Sequence, residues 1–270
     1  MKKILFYTLL CVPLSFGSCE LFKLDNYDEP AETLQGEVVD VATGERVLTD
    51  QDSEGIRVRL TELSWTGIET PDHNPDFNCK PDGSFQNTKL FKGTYNIRID
   101  GPFIPLLRET TNGNLLADET QTMEISGVTQ VKFEVQPFLK VEWVNEPTVS
   151  NGRITARVKV TRAVSEDDFR AKIEPMGSYE PGFFNVTDIQ LFVSYSSSVG
   201  SRARDESWSS KLEYTGSAFS ALLGQPVPIR SIGAIPSGRT VFIRAAARIN
   251  YATEGTKRYN YSEPLEVIIP

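Results

Sequence analysis

The sequence predicts an all-β protein made of two β-sandwich domains in tandem. Apolar and polar residues alternate with a period of two in many short segments, as in half-buried strands whose successive side chains face opposite sides of a sheet. Turn signals rich in Gly, Asn, Asp and Pro separate these segments. Helical periodicity is nearly absent. We expect one short helix over 165–173, with Ser165 as N-cap and Asp168 at the capping-box position, and a helical turn over 217–223.

Residues 1–18 are typical of an export signal. Two lysines precede an apolar stretch from Ile4 to Leu14, and small residues then lead to Cys19. The stretch is shorter than the roughly 20 residues that a helix needs to cross a bilayer. Two interpretations stay open: a secretory signal cleaved near Ser18, or a lipoprotein signal after whose removal a lipidated Cys19 is the N-terminus. We favour the second, because the segment resembles a bacterial lipobox.

Residues 19–30 are polar and acidic, which predicts a flexible tether with no core of its own. The whole chain has 28 basic and 36 acidic residues and a net charge of −8, and loss of Lys2 and Lys3 with the signal would make it −10. This charge argues against binding to nucleic acid or to anionic lipid. Cys79 would then be the one cysteine left besides Cys19, so no disulfide is available, and we expect a buried apolar residue there.

The first sandwich is predicted over residues 31–137. Its strand segments alternate Ile, Val, Leu, Tyr and Phe with charged or polar residues. The clearest are 56–60, 95–99 and 131–135. A boundary near Pro137 follows, because a new apolar run starts directly after it.

The second sandwich is predicted over residues 138–270. Leu139, Val141 and Trp143 open it, and their shared phase assigns Trp143 to the core. Two longer alternating segments follow at 154–160 and 241–249. In both domains, the charged residues that alternate with the apolar ones are expected to point outward and to blunt the sheet edges.

Part of the first domain resembles a known module. Residues 33–100 place a strand, a Gly-containing turn, a second strand, an Asp82-Gly83 turn and a Gly93-Thr94-Tyr95 strand entry in the order of the carboxypeptidase-regulatory-like, or transthyretin-like, β-sandwich. Gly83 is expected to have a positive φ angle. Such modules are scaffolds and interaction domains, and the resemblance implies no catalytic residues.

A wider resemblance covers nearly the whole chain after Cys19. The segments 25–30, 33–36 and 258–262 resemble, in their order, a domain-of-unknown-function family of Bacteroidetes lipoproteins. The resemblance implies a transthyretin-like domain followed by an immunoglobulin-like or fibronectin-like domain. Its members are often encoded beside starch-utilisation-type outer-membrane transporters and surface glycan-binding lipoproteins, which is a warrant by association.

Catalytic chemistry is poorly supported. The chain has one histidine, His73, in an Asx-rich and Pro-rich loop that is most simply a solvated hairpin tip. A single histidine provides no cluster of metal-ligating histidines. The acidic residues include chance pairs that a glycosidase could use, but the sequence selects none. We therefore predict a protein that is not an enzyme and that has no metal site and no cofactor.

Aromatic residues are the remaining candidates for a ligand site. Sugars stack on exposed Trp and Tyr rings, because their C–H faces are apolar while their rims form hydrogen bonds. Trp65 and Trp208 lie among polar neighbours at expected strand ends, and Tyr251 and Tyr259 flank the turn over 253–256. Core packing is the competing interpretation for each of these four rings.

The signal before Cys19 predicts a lipid-anchored protein, and the family resemblance implies a place in the outer membrane, exposed on the cell surface. We expect it to bind a polysaccharide or oligosaccharide, or to assist a TonB-dependent transporter and its surface lipoprotein. The alternative is a structural protein that contacts these partners without a small ligand.

Overall fold

The computed structural model describes residues 29–51, 53–64, 75–177 and 179–270. Cys19, Trp65 and His73 lie outside the described residues. Within them, strands dominate and no helix is long and apolar enough to span a bilayer. The all-β prediction is confirmed.

The described part of the N-terminal sandwich has nine strands in two sheets and a separate hairpin. Its strands are β1 (Glu32–Asp40), β2 (Arg57–Glu62), β3 (Asp76–Asn78), β4 (Ser84–Leu90), β5 (Gly93–Asp100), β6 (Leu107–Glu109), β7 (Leu115–Asp118), β8 (Gln121–Ile125) and β9 (Val128–Val135). One sheet has the order β4-β1-β9, with β1 and β9 parallel, and the other the antiparallel order β3-β2-β5-β8. Among the described strands, β6 and β7 pair with each other and with no other strand.

The inward residues of these two sheets form one apolar core. Leu34 and Val38 of β1 and Phe133 of β9 meet Val58 and Ile97 of the facing sheet, and each is at most 1% exposed. The pleat sets this arrangement, because a slip of one residue would turn every apolar side chain outward. Cys79 lies in the same core, fully buried, as predicted.

The C-terminal sandwich also consists of two sheets. Its elements are β10 (Leu139–Trp143), β11 (Thr148–Ser150), β12 (Arg153–Arg162), α1 (Glu166–Ile173), β13 (Val186–Ser194), β14 (Ser210–Glu213), β15 (Pro226–Arg230), β16 (Arg239–Ile249), β17 (Asn260–Tyr261) and β18 (Leu265–Ile269), with short 3-10 helices at Glu174–Met176 and Ser220–Leu222. In one sheet β12 pairs with β10, β11 and β15; in the other the order is β14-β13-β16, with β17 and β18 both on β16.

Helix α1 covers one side of this second core through Phe169 and Ile173. It begins as predicted: the Ser165 hydroxyl accepts a hydrogen bond from the backbone N–H of Asp168 at 3.0 Å. Such a cap satisfies one of the N–H groups that the first turn leaves without a partner. The expected turn at 217–223 contains the second 3-10 helix.

A third apolar cluster joins the two sandwiches. Tyr259 and Tyr261 pack with Phe192 and Ala246 of the C-terminal sandwich, and Leu48 of the N-terminal sandwich packs against them. The domain junction is thus a packed interface, and the clefts described below open at its surface.

Candidate functional site

The four aromatic residues predicted as ligand contacts do not form an exposed platform. Tyr259 is 1% exposed and Trp208 is 8% exposed, so neither presents a free ring face to a sugar. Tyr251 is half-buried, with its ring edge-on to Phe138 and to Phe169. Trp65 lies outside the described residues.

Trp208 is buried because its polar neighbours bond to one another. The Asp205 carboxylate accepts hydrogen bonds from the backbone N–H of Ser207, at 2.9 Å, and from the Ser207 hydroxyl. This Asx turn directly precedes Trp208, whose ring packs against the second core on one side and meets the exposed Tyr195 edge-on at 5.2 Å. A polar sequence context therefore did not imply an exposed ring.

Tyr259 belongs to a segment that crosses the domain junction. Asn260 donates to the Pro102 carbonyl at 3.1 Å, and its side-chain oxygen accepts from the backbone N–H of Leu139 at 3.1 Å. The Tyr261 hydroxyl donates to the Asp50 carboxylate at 3.2 Å. The aromatic motif at 258–262 thus holds the two sandwiches together.

Strand β16 also contributes side chains to this interface. Arg244 is 1% exposed and donates from its three guanidinium nitrogens to the carbonyls of Ser262, Thr49 and Pro81, at 2.8, 2.7 and 3.1 Å. Arg248 donates to Asp188 and pairs with Glu54 at 3.2 Å. The expectation that the charges of this strand point to solvent is wrong, because the N-terminal sandwich covers that face.

One open cleft at the junction has the size and lining of a ligand site. This Trp143 cleft has a volume of about 800 Å³, within the usual range for small-molecule sites. Strand β10 lines it from the C-terminal sandwich through Lys140, Glu142 and Trp143, and the facing wall includes Arg46 and Asp82. The cleft therefore combines one aromatic ring with charged groups from both domains.

Trp143 reaches the cleft because β10 ends there. It continues the inward phase of Leu139 and Val141, but it lies at the rim of the core and is only half-buried. Its indole N–H donates to the Glu263 carbonyl at 2.8 Å, which fixes the ring. The phase of the strand predicted that Trp143 packs in the core, but it did not predict that the ring borders a cleft.

Glu142, one of the carboxylates that line this cleft, is ionised at neutral pH. Glu142 lies 3.1 Å from the ammonium of Lys159 and 3.2 Å from that of Lys140. The hydrogen bond from Lys159 and the two positive charges hold the pKa of Glu142 below its usual value. The cleft thus presents both acceptors and donors to a polyhydroxylated ligand.

A row of amides continues the surface beyond Arg46. Gln35 on β1 lies opposite Gln86 on β4 and Gln130 on β9, so three glutamines cross the outer face of the sheet. A shallow groove of about 580 Å³ runs over them and shares Arg46 with the Trp143 cleft. We call these residues the glutamine row.

Comparisons with known proteins agree with this architecture. Residues 32–136 match the family described as the N-terminal domain of a protein of unknown function, DUF3823. No curated protein matches the chain significantly. The crystal structure of a DUF3823 family protein from Bacteroides uniformis is 65% identical, with a TM-score of 0.86, over 89% of this chain and 100% of that chain.

Two more distant structures share the fold. A candidate carbohydrate-binding protein from Bacteroides uniformis is 18% identical, with a TM-score of 0.62, over 89% of this chain and 100% of its own. A DUF3823 family protein from Parabacteroides merdae is 16% identical, with a TM-score of 0.57, over the same shares. On the identity and coverage of the first of the three structures, this chain belongs to the DUF3823 family.

Proposed function

We propose that this chain is a non-catalytic carbohydrate-binding protein that holds a glycan in the Trp143 cleft. The observation that carries the proposal is the lining of that cleft, which includes the half-buried indole ring of Trp143 and charged side chains from both domains. Apolar sugar faces stack on such rings, while charged and amide groups bond the hydroxyls. The likeness in fold to a candidate carbohydrate-binding protein supports the same function.

The surface beyond the cleft favours a chain of several sugars over a single one. The glutamine row offers side-chain amides, which both donate and accept hydrogen bonds. Arg46 stands between the two surfaces and is held by Glu37 at 2.8 Å and Asp82 at 3.3 Å. An oligosaccharide that starts at Trp143 would pass Arg46 and reach Gln35.

We also propose a cellular location for this binding. A lipid on Cys19 would anchor the chain in the outer membrane, and the acidic segment 19–30 would hold the two sandwiches at the cell surface. There the protein would pass glycans to a transporter of the starch-utilisation type. If so, Cys19→Ala moves the protein from the membrane fraction to the soluble fraction, and membrane retention of that variant would refute lipidation.

Binding to a panel of neutral polysaccharides, measured by affinity electrophoresis and calorimetry, tests the site. We expect Trp143→Ala to weaken binding at least tenfold, which corresponds to about 1.4 kcal/mol. Tyr195→Ala is the matched control, since this ring is 53% exposed and does not line the cleft. Equal affinities of both variants and the wild type would place the glycan elsewhere, and no binding across the panel would refute the function.

A further inference from the structure

A second cleft at the domain junction is lined by arginines. Its volume is about 560 Å³, and none of its lining residues is shared with the Trp143 cleft. Arg57 and Arg258 line it together with Phe77, Asn78 and Gln51. We call it the arginine cleft.

Each carboxylate beside this cleft is shared by more than one guanidinium group. Asp100 lies 3.1 Å from Arg57, 3.5 Å from Arg59 and 3.3 Å from Arg98. Glu254 is shared by Arg59 and Arg98, and Asp76 by Arg57 and Arg59. These three carboxylates thus form ion pairs with Arg57, Arg59 and Arg98.

Arg258 has no carboxylate within 4 Å in the part of the chain that the structure describes. It is 4% exposed, and its Nη1 donates to the backbone carbonyls of Ser53 and Gly55. Burial lowers the pKa of Arg258; the charge of Asp100 opposes this effect and the charge of Arg57 adds to it. The charged residues among the described lining of the cleft are three arginines, Arg57, Arg202 and Arg258, and one carboxylate, Asp76, although the whole chain is acidic.

Two donors at this cleft lack acceptors. The Nε–H groups of Arg57 and of Arg258 are buried and have no hydrogen-bond partner among the described residues. A buried donor without an acceptor is uncommon in folded proteins and often marks the place of an ion or a ligand. Both donors belong to residues that line the same cleft.

We infer that the arginine cleft binds an oxyanion, a carboxylate or a sulfate, carried by an acidic carbohydrate. The planar guanidinium group presents donors in the fork that such oxyanions accept. Phe77 offers an apolar wall to a sugar ring, and Asn78 and Gln51 offer amides to its hydroxyls. This second site rests on the proposed function only for the choice of a carbohydrate as the carrier.

The test follows the Nε–H signals of the arginines by ¹⁵N NMR during titration of the purified protein. The probes are sodium sulfate, glucuronate and, as a neutral reference, glucose, all at constant ionic strength. We expect saturable shifts of the Arg57 and Arg258 signals with sulfate or glucuronate and none with glucose. A response to sulfate alone identifies a sulfated carrier, and a response to glucuronate alone identifies a uronate.

Variants separate this site from the rest of the molecule. Arg57→Gln should raise at least tenfold the anion concentration at which the Arg258 signal is half-saturated. Arg57→Lys keeps the charge but loses the fork, and it should raise this concentration less. Arg230→Gln is the matched control, because it removes the same charge from an exposed position on β15. Trp143→Ala should leave the response unchanged, so that failure of the glycan proposal does not decide this one.

Two results would overturn the inference. One is that neither sulfate nor glucuronate produces a saturable shift. The other is a response that persists in Arg57→Gln or that glucose reproduces. Thermal unfolding of each variant shows whether the fold is retained, and the Arg57→Lys variant decides the matter if Arg57→Gln does not fold.

Discussion

Asp188 is a buried carboxylate with several hydrogen bonds at the domain junction. It is 2% exposed and accepts from the Tyr259 hydroxyl at 2.6 Å, from Arg248 Nε at 2.8 Å and from the Thr187 hydroxyl at 2.9 Å. Burial alone would raise its pKa, but these donors and the Arg248 charge outweigh burial and hold the pKa of Asp188 below its usual value. The carboxylate therefore contributes to stability in its ionised form.

Replacing Tyr259 by Phe should show this contribution. The variant loses one donor to a charged acceptor, so its free energy of unfolding at pH 7 should fall by about 1.5–3 kcal/mol. A depressed pKa contributes stability above the unfolded-state pKa of about 4, and that stability is lost as the pH falls through the folded-state pKa. The difference between wild type and variant in urea unfolding should therefore shrink between pH 7 and pH 3.

Tyr214→Phe is the control for this substitution. Its ring packs against the second core, and its hydroxyl makes no hydrogen bond within the described part of the chain. We expect little change in stability at either pH. A loss in Tyr259→Phe that is the same at pH 3 and pH 7 would contradict the role assigned to Asp188.

At the scale of the element, the turns show which glycines are required. Gly83 precedes β4 with the positive φ that the sequence predicts, +78°, and Gly113 lies between β6 and β7 with a φ of +79°. The expected hairpin at Gly83 is wrong, because β3 and β4 belong to different sheets. A Cβ at Gly83 would lie 2.5 Å from the Val47 carbonyl oxygen, whereas one at Gly113 would meet nothing within 4 Å. An alanine would have a strained, left-handed backbone at both positions, but of the two it would clash with neighbouring atoms at Gly83 alone.

Alanine at each glycine should separate these two costs. Gly113→Ala should reduce the free energy of unfolding by about 1–2 kcal/mol, the cost of a left-handed conformation with a side chain. Gly83→Ala should lose more, because the contact it creates is with backbone that cannot rotate away. Urea unfolding of both variants gives the comparison, and equal losses would mean that the turn before β4 moves to admit the methyl group.

At the scale of the whole molecule, local signals were predictable from the sequence and the junction was not. The Ser165 cap and the Gly83 turn depend on residues close to them in the chain, and both are as expected. Alternation along β16 identified its apolar face, but it cannot tell a face that meets water from one that meets another domain. Arg244 was misassigned for that reason, and Tyr259, chosen because it flanks the turn over 253–256, is buried at the same junction.

The same limit applies to the candidate sites. Trp143 lies in the inward phase of its strand, as a core residue would. That it borders a cleft follows from where the core ends, which the sequence does not show. Arg57 and Arg258 are 201 positions apart in the sequence, yet they line one cavity. Composition suggested a binding protein, whereas the places for ligands follow from how the two sandwiches meet.

The junction should make the two sandwiches unfold together. Arg244 alone bonds three carbonyls, two of them in the N-terminal sandwich, and its guanidinium lies 4.5 Å from the ring centre of Tyr261. We expect calorimetry of the wild type to show one transition, with a calorimetric enthalpy equal to the van't Hoff enthalpy. Two resolved transitions in the wild type would contradict this coupling.

Replacing Arg244 by Met should uncouple the domains. The Thr49 and Ser262 carbonyls would lose the donor that Arg244 supplies, at a cost of about 1–3 kcal/mol for each buried carbonyl. The Pro81 carbonyl would lose one donor but keep the backbone N–H of Thr49 at 3.0 Å. The bonds to Thr49 and Pro81 are the ones that cross the interface. The variant should therefore unfold at a lower temperature and in two steps. Arg239→Met, at the exposed start of the same strand, should keep the single transition. A single transition that merely shifts in Arg244→Met would show that the apolar cluster around Tyr259 and Tyr261 couples the domains without the arginine.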